Sequence, residues 1–152
     1  MTVPPPGDPI THQHLAFLGR HSRVFLLVRD GDRPVGYPMT GRLINGALEF
    51  STYRKSAKVR HIERDGRVCC VAVPRDPAED DLALVTWGTA AINEQSGANW
   101  ISVSDRERAS SGMEVPPEVV KQVSDRIAAN KRAVLRVQLL SARFIKGFRD
   151  AS

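Results

Sequence analysis

The segment Phe50-Ser-Thr-Tyr-Arg-Lys-Ser-Ala-Lys-Val-Arg-His61 holds the residues whose types and spacing are best suited to chemistry. Ser51 and Thr52 close an alternating stretch, Arg54 and Lys55 fill the following turn, and Ser56 opens a helical pattern whose first turn carries Lys58. The start of a helix presents unpaired backbone N–H groups and the positive end of the peptide dipoles, so it favours an anion before any side chain is considered. Lys58 adds charge and Ser56 a directional donor, which together describe a phosphate cradle built without a glycine-rich loop. The charges alone are equally compatible with a solvated basic helix face. The hydroxyls of Ser51 and Thr52, immediately before the cations, favour a site.

The elements around this segment are predicted from hydrophobic period and turn chemistry. Ile10 to Leu18 reads as a short helix capped by Thr11 that lids one end of the core. Ser22 to Arg29 and Val35 to Leu43 read as strands joined by Asp30-Gly-Asp-Arg-Pro34, and Asn45-Gly46 is a strong hairpin signal leading into Ala47 to Tyr53. These three strands are expected to form an antiparallel meander. Ser56 to Arg64 places Val59 and Ile62 three apart, as in a short amphipathic helix capped by Ser56 and ended by Asp65-Gly66. Arg67 to Val73 is a strand, Pro74 to Asp81 an acidic loop, and Leu82 to Ile92 a strand in which Gly88 marks a bulge or a close backbone approach. Asn93 to Gly112 is polar and without period. Pro116 to Ala129 reads as a helix with Val119, Val120, Val123 and Ile127 on one stripe, and Lys131 to Phe148 as the last strand. The class is therefore mainly β (α+β): a six-stranded antiparallel barrel with peripheral helices, which removes exposed strand edges, or else an open α+β sheet.

The chain has 152 residues, enough for one core, and residues 10–152 are assigned to a single domain behind a flexible tail, 1–9. Hydrophobic residues at 41% and charged residues at 26% exclude wholesale disorder, a collagen-like repeat and a coiled coil. No apolar run is long enough to span a membrane as a helix, and no secretory signal is visible at the N-terminus, so no membrane association and a cytoplasmic location are expected. The net charge of +5 admits nucleic acid, anionic lipid or a small anion. Its location narrows the choice. Arg54, Lys55, Lys58, Arg60, Arg64 and Arg67 stand against only Glu63 and Asp65, beside two hydroxyls, which is the scale of one phosphate rather than a polymer. No interleaved aromatic series accompanies these cations, so nucleic-acid binding is not expected.

The same residues carry a resemblance. A strand ending in Ser51-Thr52, then Ser56-Ala57-Lys58 opening a helix that runs through Arg64-Asp65-Gly66-Arg67-Val68 into the next strand, resembles the pyridoxamine 5'-phosphate oxidase-like split β-barrel superfamily, whose members bind flavins and deazaflavins. His61 stands where that family often has asparagine, and Gly66 where it has proline. The resemblance extends more weakly to Pro38-Met39-Thr40, to Val85 to Ala90 and to the last strand. It implies that Ser56 and Lys58 hold a cofactor phosphate with Ser51, Thr52 and Lys55 in support, and that Pro38, Met39 and Thr40 lie along the tricyclic ring. The upstream Arg-x(4)-Lys pair of true pyridoxamine phosphate oxidases is missing, which disfavours vitamin B6 oxidation. The implied cofactor is the deazaflavin coenzyme F-420, with FMN as the alternative. The implied activity is hydride transfer to an unsaturated or quinone-like small-molecule acceptor, and the implied assembly is a homodimer with the cofactor at the subunit interface, where Trp87 or the last strand would supply contacts. A non-enzymatic flavin- or haem-binding protein of the same fold is the second reading.

Other candidates carry less. His12 and His14 diverge on a helix and lack a carboxylate or cysteine partner, so exposed polar residues are expected and no metal site. Cys69 and Cys70 are adjacent on a strand, point to opposite faces and read as filler rather than a bridge or a zinc pair. His21, Tyr37 and Tyr53 could each give a proton near a ring, and no spacing selects one. Ser102, Ser104, Ser110 and Ser111 have no nucleophile-elbow context, so hydrolysis has no support. Trp100 and the Met113 region read as cover for the core.

Overall fold

Strict alternation shapes the first hairpin: Val24, Leu26 and Val28 are buried while Phe25, Leu27 and Arg29 face the other side. The structure, a computed structural model, describes residues 6–76, 81–93 and 132–146. Strand β1 is Asp8–Pro9, helix α1 His12–Arg20, β2 Arg23–Asp30, β3 Arg33–Thr40, β4 Arg42–Ile44, β5 Ala47–Tyr53, helix α2 Ala57–Arg64, β6 Arg67–Ala72, β7 Leu82–Asn93 and β8 Arg132–Lys146. The strands lie in the order β3-β2-β6-β7-β8-β5-β4, every pair antiparallel, with β1 added against β8. Residues 8 and 9, expected in the tail, thus pair with Ala142 and Ser141, and the Ser141 hydroxyl donates to the Pro6 carbonyl.

The two ends of that order, β3 and β4, are consecutive in the chain and joined through the single residue Gly41. The sheet therefore curls back on itself. Counted as one bent strand, β3 and β4 complete the six strands expected of a split β-barrel. The bend corrects the expectation of an unbroken strand from Val35 to Leu43. Gly41 is buried over the core, where a Cβ would come within 3.0 Å of both Phe50 Cε1 and Val24 Cγ2, and its N–H donates to Ser22 O at 2.8 Å instead of continuing a ladder. The expected three-stranded meander is corrected as well. β3 pairs with β2, and the Asn45-Gly46 hairpin joins only the short β4 to β5, which turns its other edge to β8. Asn45 and Gly46 both have positive φ, 50° and 78°, the geometry of a two-residue hairpin turn whose twist matches its strands.

The barrel interior is filled by Leu26, Leu48, Phe50, Leu84, Leu135 and their neighbours, none of these five detectably exposed. α1 closes one end with Phe17 and Leu18, the Phe17 ring meeting Phe144 edge-on at 5.5 Å. Thr11 caps α1 as expected, but His14 is not exposed. The residue is 6% exposed; Nδ1 accepts from the Thr11 N–H at 3.0 Å, completing a capping box, and the ring packs 5.3 Å from Phe144. β7 is bulged between Trp87 and Gly88, where a side chain would collide with the Gln138 carbonyl of β8. Cys69 and Cys70 are unbridged. The region Asn93 to Gly112, the Pro116 to Ala129 helix, Trp100, Met113 and the serines at 102, 104, 110 and 111 lie outside the described residues, apart from Asn93 as the end of β7.

Candidate functional site

The site is assembled where β5 runs out into α2. Alternation along β5 turns Thr52 inward, 3% exposed, and leaves Ser51 and Tyr53 on the outer face. After Tyr53 the chain reverses through Arg54 and Lys55, with Ser56 N–H donating to Tyr53 O at 3.0 Å, and enters α2. α2 is fastened by Val59 and Ile62, both buried. At the other end of the helix, Asp65 takes three N–H groups of Arg67: the backbone at 3.1 Å, Nε at 3.0 Å and Nη2 at 2.7 Å. This network holds the Asp65 carboxyl down at about 2, chiefly through the Arg67 side-chain bonds.

The reversal brings the Thr52 and Ser56 hydroxyls to 3.5 Å from one another. Ser56 occupies the N-cap position of α2 as expected, yet its side chain makes no capping bond, which corrects the reading of Ser56 as a conventional cap. The helix start keeps its N–H groups free of side-chain caps. Lys58, in the first turn, is half-buried with Nζ 5.2 Å from the centre of the Tyr37 ring on β3. Its ammonium pKa is lowered, first by burial and then by the nearby charge of Arg132. Arg132, the first residue of β8, pairs with Tyr53 in register. Its Nε and Nη2 both donate to Ser51 Oγ, at 3.0 and 2.9 Å, and its guanidinium lies 4.8 Å over the Tyr53 ring.

Of the residues expected at a site, Ser51, Thr52, Ser56 and Lys58 are thus gathered at one end of β5 and α2. Lys55 is exposed in the turn, where its carbonyl accepts from Arg60 Nη1 at 3.2 Å. Met39 packs against the core beside Tyr37, while Pro38 and Thr40 face outward on the opposite side of β3. Arg132 and Tyr37 were not read from the sequence as parts of the cradle. The alternation of β5 exposes Tyr53 and buries Thr52, but which residue of a strand nearly eighty positions away lies opposite Tyr53 is a matter of register, which one chain's pattern does not reveal. A cavity of about 310 Å³ lies further along β8, lined by Thr89, Ala90, Ala91, Ile92, Arg136 and Gln138. There Arg136 Nη1 donates to the buried Glu49 carboxylate at 2.6 Å.

The chemistry available is recognition of an anion. Lys58 offers three N–H donors and no acceptor, and in the Thr52–Ser56 pair one hydroxyl proton bridges the two oxygens and the other remains to donate. Among the described residues no group of three or more histidine, cysteine, aspartate or glutamate side chains is placed to hold a metal, and no helix is long and apolar enough to cross a membrane.

No protein-family model and no curated protein matches the sequence. Solved structures do match. A conserved hypothetical protein of Mycobacterium tuberculosis superposes with a TM-score of 0.69 at 21% identity, covering 95% of this chain and 90% of that one. A pyridoxamine 5'-phosphate oxidase candidate from Listeria innocua gives a TM-score of 0.63 at 16% identity, over 89% of this chain and 97% of that one. An F-420 reductase gives a TM-score of 0.62 at 18% identity, over 88% of this chain and 98% of that one. The curled antiparallel sheet, its two helices and these superpositions together show that the chain has the split β-barrel fold of these structures.

Proposed function

We propose that this protein is an oxidoreductase that uses reduced deazaflavin coenzyme F-420 to deliver hydride to an unsaturated or quinone-like small molecule, with FMN as the alternative cofactor. The observation that carries the reading is the half-buried Lys58 ammonium at a helix start free of side-chain caps, beside the Thr52–Ser56 hydroxyl pair, on a split β-barrel. These donors fit a phosphate, and similarity to an F-420 reductase and to a pyridoxamine phosphate oxidase candidate supports a tricyclic cofactor. When bound, the reduced ring supplies the hydride.

The chain's own residues bind, orient and shield. Lys58 neutralises phosphate charge in a partly desolvated setting, where one charge-assisted hydrogen bond is worth about 1.5–3 kcal/mol. Thr52, Ser56 and the first N–H groups of α2 orient the phosphate oxygens. Ser51 and Lys55 stand beside them, and Pro38, Met39 and Thr40 are assigned to the ring through the backbone of β3. A homodimer with the cofactor between subunits accords with the exposed Tyr53 next to the cradle and Leu140 on β8. Sedimentation of the purified protein at micromolar concentration would report that assembly, and a monomer would count against it.

Titration of each cofactor, followed by its fluorescence, tests the reading. Lys58→Ala is expected to weaken binding at least about tenfold. Absence of binding of both deazaflavin and FMN to the wild type would overturn the reading, and binding without turnover across a broad acceptor panel would favour a flavin carrier of the same fold.

A further inference from the structure

Among the described residues, some cations are paired with carboxylates. Arg136 is neutralised by Glu49 at 2.6 Å and Arg67 by Asp65 at 2.7 Å, as cations with a structural task usually are. Arg132 and Lys58 differ. They flank the same end of β5, Arg132 on the Ser51 hydroxyl and Lys58 in the first turn of α2, and among the described residues each is held by neutral groups: Arg132 by the Ser51 hydroxyl and the Tyr53 ring, Lys58 by the Tyr37 ring. Like charges brought together without a carboxylate between them repel, and an anion that sits between them relieves that repulsion.

The donor arithmetic points the same way. A guanidinium has five N–H donors, and two of Arg132's are spent on Ser51 Oγ, which leaves three. Ser51, with both lone pairs engaged by Arg132, keeps only its O–H to give. Lys58 has only donors. The group of Arg132, Ser51 and Lys58 therefore presents hydrogen-bond donors and two positive charges to whatever enters, and no acceptor.

We propose that Arg132 is a second cationic anchor of the cofactor site, oriented by Ser51, and that Arg132 and Lys58 together select a ligand carrying two negative charges within reach of one phosphate. The proposal rests on the flavin or deazaflavin reading and alters the part played by Ser51 within it. Ser51 acts on the ligand largely by fixing the guanidinium fork, and is a positioning residue. Two known chemistries meet the charge requirement, a terminal phosphate dianion as in FMN and a phosphodiester accompanied by carboxylates as in coenzyme F-420; riboflavin, with no phosphate, does not.

The test compares wild type, Arg132→Ala, Arg132→Lys, Ser51→Ala and the Ser51→Ala/Arg132→Ala double variant in fluorescence titrations with FMN, coenzyme F-420 and riboflavin. Thermal stabilisation by inorganic phosphate is measured in parallel, and Arg132→Lys controls for folding. Arg132→Ala is expected to raise the Kd for the phosphorylated cofactor by about tenfold to a hundredfold while leaving riboflavin binding unchanged. Arg132→Lys is expected to recover part of the loss, because lysine keeps the charge and loses the fork. Ser51→Ala is expected to weaken binding about threefold to tenfold alone and to add less than about twofold in the Arg132→Ala background. Whichever of FMN and F-420 shows the larger Arg132 effect identifies the source of the charge. If Arg132→Ala and Arg132→Lys both leave the phosphorylated cofactors within twofold of wild type while Lys58→Ala weakens them, the flavin reading stands and the second anchor is overturned. If the wild type binds no flavin or deazaflavin, the functional reading fails separately; stabilisation by phosphate that Arg132→Ala abolishes then supports the anchor as an anion site, and its absence from the wild type overturns it.

Discussion

Arg136→Met is the substitution whose cost the structure determines most directly. Glu49 lies on the outer face of β5 with its side chain only 2% exposed, and its charge is met by Arg136 Nη1 at 2.6 Å from the facing position of β8. Arg136 also donates to Ile44 O at 3.4 Å, so one guanidinium ties β8 to both β4 and β5. Methionine preserves most of the side chain's bulk and removes the charge, leaving a buried carboxylate. Removing one partner of a buried pair typically costs about 3–5 kcal/mol. Two features place this case at the lower end. Arg136 is 33% exposed, so its attraction to Glu49 is screened, and Arg42 lies directly opposite Glu49 in the β4–β5 register. A loss of about 3 kcal/mol corresponds to roughly 6–12 °C in Tm for a domain of this size. Urea unfolding followed by circular dichroism measures it, with an unchanged m-value confirming that the native state and not the unfolded ensemble was altered. The Glu49→Leu/Arg136→Met double variant removes charge and countercharge together and is expected to regain most of the loss. A single variant within about 1 kcal/mol of wild type, or a double variant no more stable than the single, would refute the reasoning.

Further outcomes follow from other residues. The lowered pKa of Lys58 means that an anion must keep the ammonium charged against burial and against Arg132, so cofactor affinity is expected to fall as pH rises through the lowered Lys58 pKa; titrations across the alkaline range check this, and Lys58→Ala should flatten the profile. Gly88→Ala forces a methyl into the Gln138 carbonyl and should destabilise by about 1–3 kcal/mol or prevent folding, read by thermal melting beside the wild type. Asp65, held at about 2 in the native state against an ordinary 3.8, contributes stability that is complete above 3.8 and lost as pH falls toward 2. Asp65→Asn should therefore lower Tm by up to about 3 °C at neutral pH, with the two melting curves converging in acid. Burial pushes the Cys70 thiol up to about 12, so the native protein should show at most one readily alkylated thiol, the half-buried Cys69, until denaturant is added.

What the sequence discloses about this fold is mostly local. The Asn45-Gly46 turn, the Thr11 cap, the Val59 and Ile62 face of α2 and the Gly88 bulge each depend on neighbours within a few positions, and each is where the pattern placed it. The gathering of Ser51, Thr52, Ser56 and Lys58 is legible for the same reason, since a strand, a short turn and a helix start keep them together whatever the rest of the chain does. Features that depend on distant partners are not. The bend at Gly41 sits over Phe50 and Val24, which crowd any side chain there, and no alternation within Val35 to Leu43 records those distant neighbours. His14 looks polar and exposed until its ring finds both the Thr11 N–H and Phe144 of β8. Arg132 joins the cradle only through the β5–β8 register.

The bonds from Arg132 to Ser51 join residues 81 positions apart in the chain. Closing a loop of that length costs roughly 2 kcal/mol more entropy than closing one a tenth as long, so β8 is expected to dock after the β2–β3 and β4–β5 hairpins have formed. Until it docks, β5 has an open edge and Lys58 stands without Arg132 beside it. An anion that needs both cations then binds only molecules that have completed their folding, and so draws late intermediates toward the native state by mass action. Refolding with and without phosphate would show whether the slowest folding step and the birth of the binding site are one event.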